Sequence, residues 1–175
     1  ITLHTAQKHS DRFSGIVIVD SGLRPPEDKW DGPPRKARGN RAYASLEAAL
    51  ARFRLAPPQP CENHYIADYI ARHSLKQKTN SAGQTGWVWK FDPEIFFNFE
   101  FSKMSTNMLS DITCRVAMMR GQDSVLVTDR IWDYMRSLRD GMDMVAIPDA
   151  QHHVMLDQPL AFIDAIKDQL NRWDY

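Results

Sequence analysis

His152 and His153 follow a short apolar run, Met144-Val145-Ala146-Ile147, that Pro148 stops. An imidazole changes charge near neutral pH, so a histidine on a loop held by rigid elements can act as a general base. Such a base works when a carboxylate binds its other ring nitrogen, fixing the tautomer and stabilising the imidazolium. Two aspartates are candidates for that role. Asp20 ends the β-branched run Ile16-Val17-Ile18-Val19, and Asp123 lies in Arg120-Gly121-Gln122-Asp123-Ser124, just past residues 115–119. The plainer readings are a solvated loop histidine and an aspartate that caps the turn after it. A base of this kind activates a hydroxyl or a water, and no evident nucleophile accompanies it in the 175 residues.

The elements that must position these residues alternate. Residues 1–12 read as a helix with Ile1, Leu3 and Ala6 as core contacts, closed by Phe13-Ser14-Gly15 with Gly15 as the stop. Residues 16–19 read as a strand buried on both faces. Residues 115–119 and 143–147 read as strands, and 128–138 as a helix with Ile131, Tyr134, Met135 and Leu138 inward. The chain closes with a helix after Pro159 whose apolar positions are Leu160, Ile163, Ile166 and Leu170. This order predicts an α/β fold with a parallel sheet. Asp20, Asp123 and His152 then all fall past C-terminal strand ends, where ligands gather in such sheets.

Residues 23–110 interrupt the alternation. A Pro- and Gly-rich loop (23–40) precedes a helix at 46–53 capped by Ser45. A second helix is expected at 62–73 with Tyr65, Ile66, Tyr69 and Ile70 inward, then a hairpin of 75–78 and 87–91 about Asn80-Ser81-Ala82-Gly83. Asp92-Pro93 opens a short helix carrying Phe96, Phe97, Phe99 and Phe101, an aromatic stripe that reads first as core. His64 and His73 read as surface or packing residues. The expected division is a core of 1–22 and 111–175 with 23–110 inserted as a cap or lid.

Composition narrows the function. Hydrophobic residues make up 43% and charged residues 25%, as in ordinary globular domains. Lys+Arg and Asp+Glu both number 22 and no basic run stands out, which argues against a nucleic-acid partner. Cys61 and Cys114 lack metal-site or disulfide spacing, so neither a zinc site nor a disulfide framework is indicated; no other metal or cofactor is expected, and the thiols suit a reducing, cytoplasmic setting. No stretch approaches the roughly 20 apolar residues a membrane span needs. The chain opens at Ile1 with a helix that no Ser, Thr, Asp or Asn caps, as if already under way.

Three segments carry a resemblance: Gly15-Ile16-Val17-Ile18-Val19-Asp20, Met118-Met119-Arg120-Gly121, and His152-x-x-x-Leu156-Asp157-x-Pro159 before a closing helix. In this order they resemble the C-terminal part of the α/β-hydrolase superfamily, with the insertion where that family carries its cap. The resemblance implies a strand after the nucleophile helix, a strand before the usual acid, and a histidine loop. It makes His152 the base, with His153 a neighbour of lesser standing. The family's nucleophile elbow and its oxyanion hole would lie upstream of residue 1, on a missing N-terminal half that is the chain's expected partner.

The acid departs from the commonest pattern. The family most often places it three residues after the strand-end glycine, where Ser124 stands, with Asp123 one position early. Some cap-bearing members, haloalkane dehalogenases among them, carry it at the end of the earlier strand, where Asp20 stands before Gly22-Leu23-Arg24-Pro25-Pro26. Asp20 is therefore favoured and Asp123 is the alternative.

The resemblance implies a hydrolase acting on a small apolar carboxylic ester through a Ser-His-Asp triad. The cap aromatics Trp87, Trp89, Phe96 and Phe97 would shape an apolar pocket. The alternatives are a haloalkane dehalogenase or epoxide hydrolase with an aspartate nucleophile, or a non-catalytic binding module of the same fold. The chain by itself is expected to be inactive.

Overall fold

The computed structural model describes residues 1–28, 41–92 and 106–174. Two compact units result: Ile1–Trp30 with Lys103–Tyr175, and Asp31–Ser102.

The first unit holds a three-stranded sheet of β1 (Gly15–Val19), β4 (Arg115–Gly121) and β5 (Asp143–Ile147), in the order β1-β4-β5. Both pairings are parallel, with Ile18 opposite Met118 and Met119 opposite Val145. The expected α/β class with a parallel sheet therefore holds. The strand buried on both faces is β4, the central one, whose residues after Arg115 are all buried. In β1, by contrast, only Ile16 and Ile18 are buried, because this strand lies at the sheet's edge.

Side-chain alternation along the strands divides the core into two. On one face Ile16, Ile18, Val116 and Met118 pack with Leu3 and Ala6 of α1 (Thr2–Lys8) and with Ile131, Trp132 and Met135 of α4 (Asp129–Leu138). On the other face Val19, Val145 and Ile147 pack with Val154 of α5 (Val154–Asp157) and with Phe162 and Ala165 of α6 (Pro159–Arg172).

Several expectations need correction. The N-terminal helix stops at Lys8, and a 3-10 turn, Ser10–Arg12, follows. Ile1 is 87% exposed and contributes nothing to the core. Gly15 is no helix stop: it is the first residue of β1, and a Cβ there would lie 2.6 Å from the Trp173 ring. Trp132 joins the buried face of α4 while Tyr134 and Leu138 only pack partly against it. In α6 the side turned to the sheet carries Phe162 and Ala165, and Gln169 is fully buried. Leu160, Ile163 and Leu170 are exposed, at 75%, 46% and 37%. Two apolar arcs run along that helix, and periodicity alone does not say which one packs.

The second unit contains α2 (Leu46–Leu50), α3 (His64–His73), and an antiparallel hairpin of β2 (Leu75–Thr79) and β3 (Thr85–Trp89). Ser45 caps α2 by accepting the Ala48 N–H at 3.1 Å. Gly83 turns the hairpin with φ +77, and Asn80 Oδ1 accepts the N–H groups of Ala82 and Gln84. Tyr65 and Tyr69 are 70% and 62% exposed, contrary to expectation, and Ala71 is the buried residue of α3. His73 is held locally, its ring stacked on Tyr69 with Nδ1 2.8 Å from the Tyr69 carbonyl oxygen. The stripe Phe96, Phe97, Phe99 and Phe101 lies outside the described residues. Cys61 and Cys114 form no disulfide among the described residues, and no helix among the described residues is long and apolar enough to cross a membrane.

Candidate functional site

Asp20 follows the last residue of β1 with φ +43, a left-handed conformation that aspartate tolerates better than most residues. Its N–H still bonds to the Met119 carbonyl at 2.7 Å, so the backbone turns away only after the ladder is complete. The turn aims the carboxylate across the C-terminal end of β4. It is 1% exposed, accepts two hydrogen bonds and contacts a histidine ring nitrogen, none of these partners belonging to its own turn. Oδ1 accepts the Gly121 N–H at 3.0 Å. Oδ2 accepts the Ser124 hydroxyl at 2.6 Å and lies 2.8 Å from His152 Nδ1. These partners are more than a hundred positions away in the chain, so Asp20 is not a local turn cap.

His152 sits on the loop between β5 and α5, and its side chain is 24% exposed. Asp157 holds this loop, its Oδ2 accepting the Gln151 N–H at 2.7 Å, and Gln158 Nε2 donates to the Asp149 carbonyl. The His153 ring stands edge-on to His152 with centroids 4.7 Å apart. The His152 imidazole is thus bound on its Nδ1 side by a buried carboxylate while the residue as a whole reaches solvent. That contact leaves Nε2 as the ring nitrogen that Asp20 does not engage.

Asp123, the other candidate acid, is exposed. Its backbone N–H donates to the Ala150 carbonyl at 2.9 Å, which ties the loop after β4 to the histidine loop. The structure therefore brings His152 together with Asp20, and Asp123 contributes a backbone tie.

Three residues serve the site without having been singled out for it. Ser124, a departure in the expected position of the acid, bonds Asp20 directly. Gly121 lets two loops meet: a Cβ there would lie 2.1 Å from the Gln151 carbonyl oxygen and 2.4 Å from that of Ala150. Arg120, 6% exposed, anchors the loop's far end. It donates to the Val127 carbonyl, pairs with Asp129 and lies over the Trp132 ring at 4.7 Å. A glycine followed three residues later by a short hydroxyl residue, at a strand end, was the available signal. Among the described residues no three His, Cys, Asp or Glu side chains gather as metal ligands would.

No protein-family model matches the sequence, and no curated protein matches it. Solved structures do resemble it. E-2-(acetamidomethylene)succinate hydrolase is similar over 97% of this chain and 62% of its own, with TM-score 0.69 and 19% identity. An esterase from Mycobacterium tuberculosis matches over 97% of this chain and 56% of its own, with TM-score 0.67 and 20% identity. The thioesterase domain from the curacin biosynthetic pathway matches over 94% and 61%, with TM-score 0.66 and 14% identity. At these identities the likeness is one of fold, and the chain spans less than two thirds of the length of each.

Proposed function

Starting from a chain with the α/β-hydrolase fold, we propose that it carries the base and acid of a hydrolase acting on carboxylic esters. The observation that carries this reading is the 2.8 Å contact between His152 Nδ1 and the buried carboxylate of Asp20. The names of the similar structures, a hydrolase, an esterase and a thioesterase domain, support it.

In the proposed reaction a serine outside these 175 residues attacks the ester carbonyl carbon. His152 Nε2 takes the serine proton, and Asp20 stabilises the imidazolium through Nδ1–H. The tetrahedral adduct collapses with loss of the alcohol, which leaves with the proton from Nε2. Water then attacks the acyl-enzyme, again giving its proton to Nε2. The acid is released and the serine regains its hydrogen.

The partner in this reading is the segment that completes the fold and brings the nucleophile and oxyanion donors. Two features of the first unit support such a partner. β1 is an edge strand of the described sheet, and edge strands of open sheets call for pairing or protection. The exposed arc of Leu160, Ile163 and Leu170 on α6 is a second apolar surface left uncovered. In this reading residues 23–110 are the cap.

A second reading has a specific observation behind it. Asp20 stands at the end of β1, the placement of the acid in some cap-bearing members of the family, haloalkane dehalogenases among them. A fluorophosphonate probe separates the two: it labels a serine enzyme and leaves an aspartate enzyme unlabelled. The test of the shared part is His152→Ala in the full-length protein, assayed on a panel of esters, haloalkanes and epoxides. Turnover should fall by orders of magnitude, and turnover equal to wild type would refute the catalytic reading.

A further inference from the structure

Ser124 occupies a place where a carboxylate would be the commoner residue, yet its hydroxyl is built into the site. It is 7% exposed, and all three hydrogen-bonding positions of the hydroxyl are used. A hydroxyl has one hydrogen and two acceptor positions. The backbone N–H groups of Leu126 and Val127, each 3.1 Å from Ser124 Oγ, take the two acceptor positions. The one hydrogen must therefore go to Asp20 Oδ2 at 2.6 Å. That length lies in the range of a hydroxyl bound to an anionic oxygen, about 2.5–2.7 Å.

The consequence passes to the histidine. Asp20 Oδ1 already accepts the Gly121 N–H, and Oδ2 accepts the serine hydroxyl. Donors on both oxygens favour the carboxylate form, which has nothing to donate and places the hydrogen between Asp20 Oδ2 and His152 on Nδ1. We propose that Ser124 is a positioning residue: its hydroxyl, oriented by two backbone N–H groups, fixes Asp20 as an acceptor and thereby the Nδ1–H tautomer of His152. Nε2 then carries the lone pair that a base needs. The inference deepens the proposed hydrolytic reading and rests on it for its kinetic consequence, while the tautomer itself is independent of any substrate.

The test is nitrogen-15 NMR of histidine-labelled protein without substrate, together with ester kinetics. In the wild type, His152 shows a protonated Nδ1, an unprotonated Nε2 and a slowly exchanging, downfield Nδ1–H. Ser124→Thr keeps the hydroxyl and preserves that signature. In Ser124→Ala the Nδ1–H exchanges with solvent about tenfold faster, and kcat falls about tenfold with KM little changed, as loss of one charge-assisted hydrogen bond predicts. A wild-type His152 protonated on Nε2 overturns the inference. So does a Ser124→Ala protein whose Nδ1–H exchange matches wild type. If Ser124→Ala fails to fold, the wild-type tautomer and the Ser124→Thr signature decide. Should the tautomer result hold while His152→Ala leaves turnover intact, the Ser124 assignment stands and the hydrolytic reading falls.

Discussion

Gly121 is where a single methyl group should do the most harm. Its N–H bonds to Asp20, and its Cα faces the carbonyl oxygens of Ala150 and Gln151, the two residues before His152. In Gly121→Ala the new Cβ would begin 2.1 Å from one oxygen and 2.4 Å from the other. Carbon and oxygen that are not bonded do not approach so closely, so the strand end and the histidine loop must part by roughly 1 Å. Neither side yields freely. The loops are tied by Gln122 N–H to the Ile147 carbonyl and by Asp123 N–H to that of Ala150, and Asp157 holds the histidine loop from below. The displacement therefore falls on the 2.8 Å contact between His152 and Asp20. A misplacement of about 1 Å costs on the order of 10²-fold in turnover, and overpacking costs about 1–3 kcal/mol of stability. Steady-state kinetics on the full-length protein and thermal unfolding measure both. Gly141→Ala is the control: Gly141 has φ +71 but open space around it, so it should lose about 1–2 kcal/mol with kcat unchanged. A Gly121→Ala protein with wild-type kcat and wild-type Tm would refute the reasoning.

Other expectations follow from the packing. Gly15→Val drives a side chain into the Trp173 ring, so Tm should fall while the His152 Nδ1–H signal persists. Met135 is fully buried and its sulfur accepts the Leu23 N–H at 3.2 Å, so Met135→Ala should lose about 2–5 kcal/mol in urea unfolding. Burial, and then the charge of Glu27, push the Tyr134 hydroxyl above its ordinary value of 10.0. Above that pH the unfolded chain loses the proton before the folded one, so the contribution of Tyr134 to stability declines as pH rises. Urea unfolding from pH 9 to 11 should show this decline, and Tyr134→Phe should lessen it. The 175-residue chain alone should hydrolyse no ester, as measured with activated acyl substrates after affinity purification. Sustained turnover that co-purifies with the chain would contradict the proposal that the nucleophile lies outside it.

Much of the fold is legible in the sequence because it depends on local period and punctuation. The β-branched run before Asp20, the apolar run before Pro148, the Asn80–Gly83 turn and the Ser45 cap each specify an element through contacts within a few residues. Tertiary structure decided what depended on direction. Asp20 and Asp123 both stand past strand ends, and only the left-handed turn at Asp20 shows which carboxylate reaches His152. In α6 two apolar arcs compete, and packing against Val145 and Ile147 selects Phe162 and Ala165 over Leu160 and Ile163. Gly15 reads as a helix stop until Trp173, 158 positions later in the sequence, is found against it. The residue types capable of chemistry were thus determined by the sequence alone. Their pairing through Ser124 and Gly121 joins segments more than a hundred residues apart, and no local pattern records such contacts.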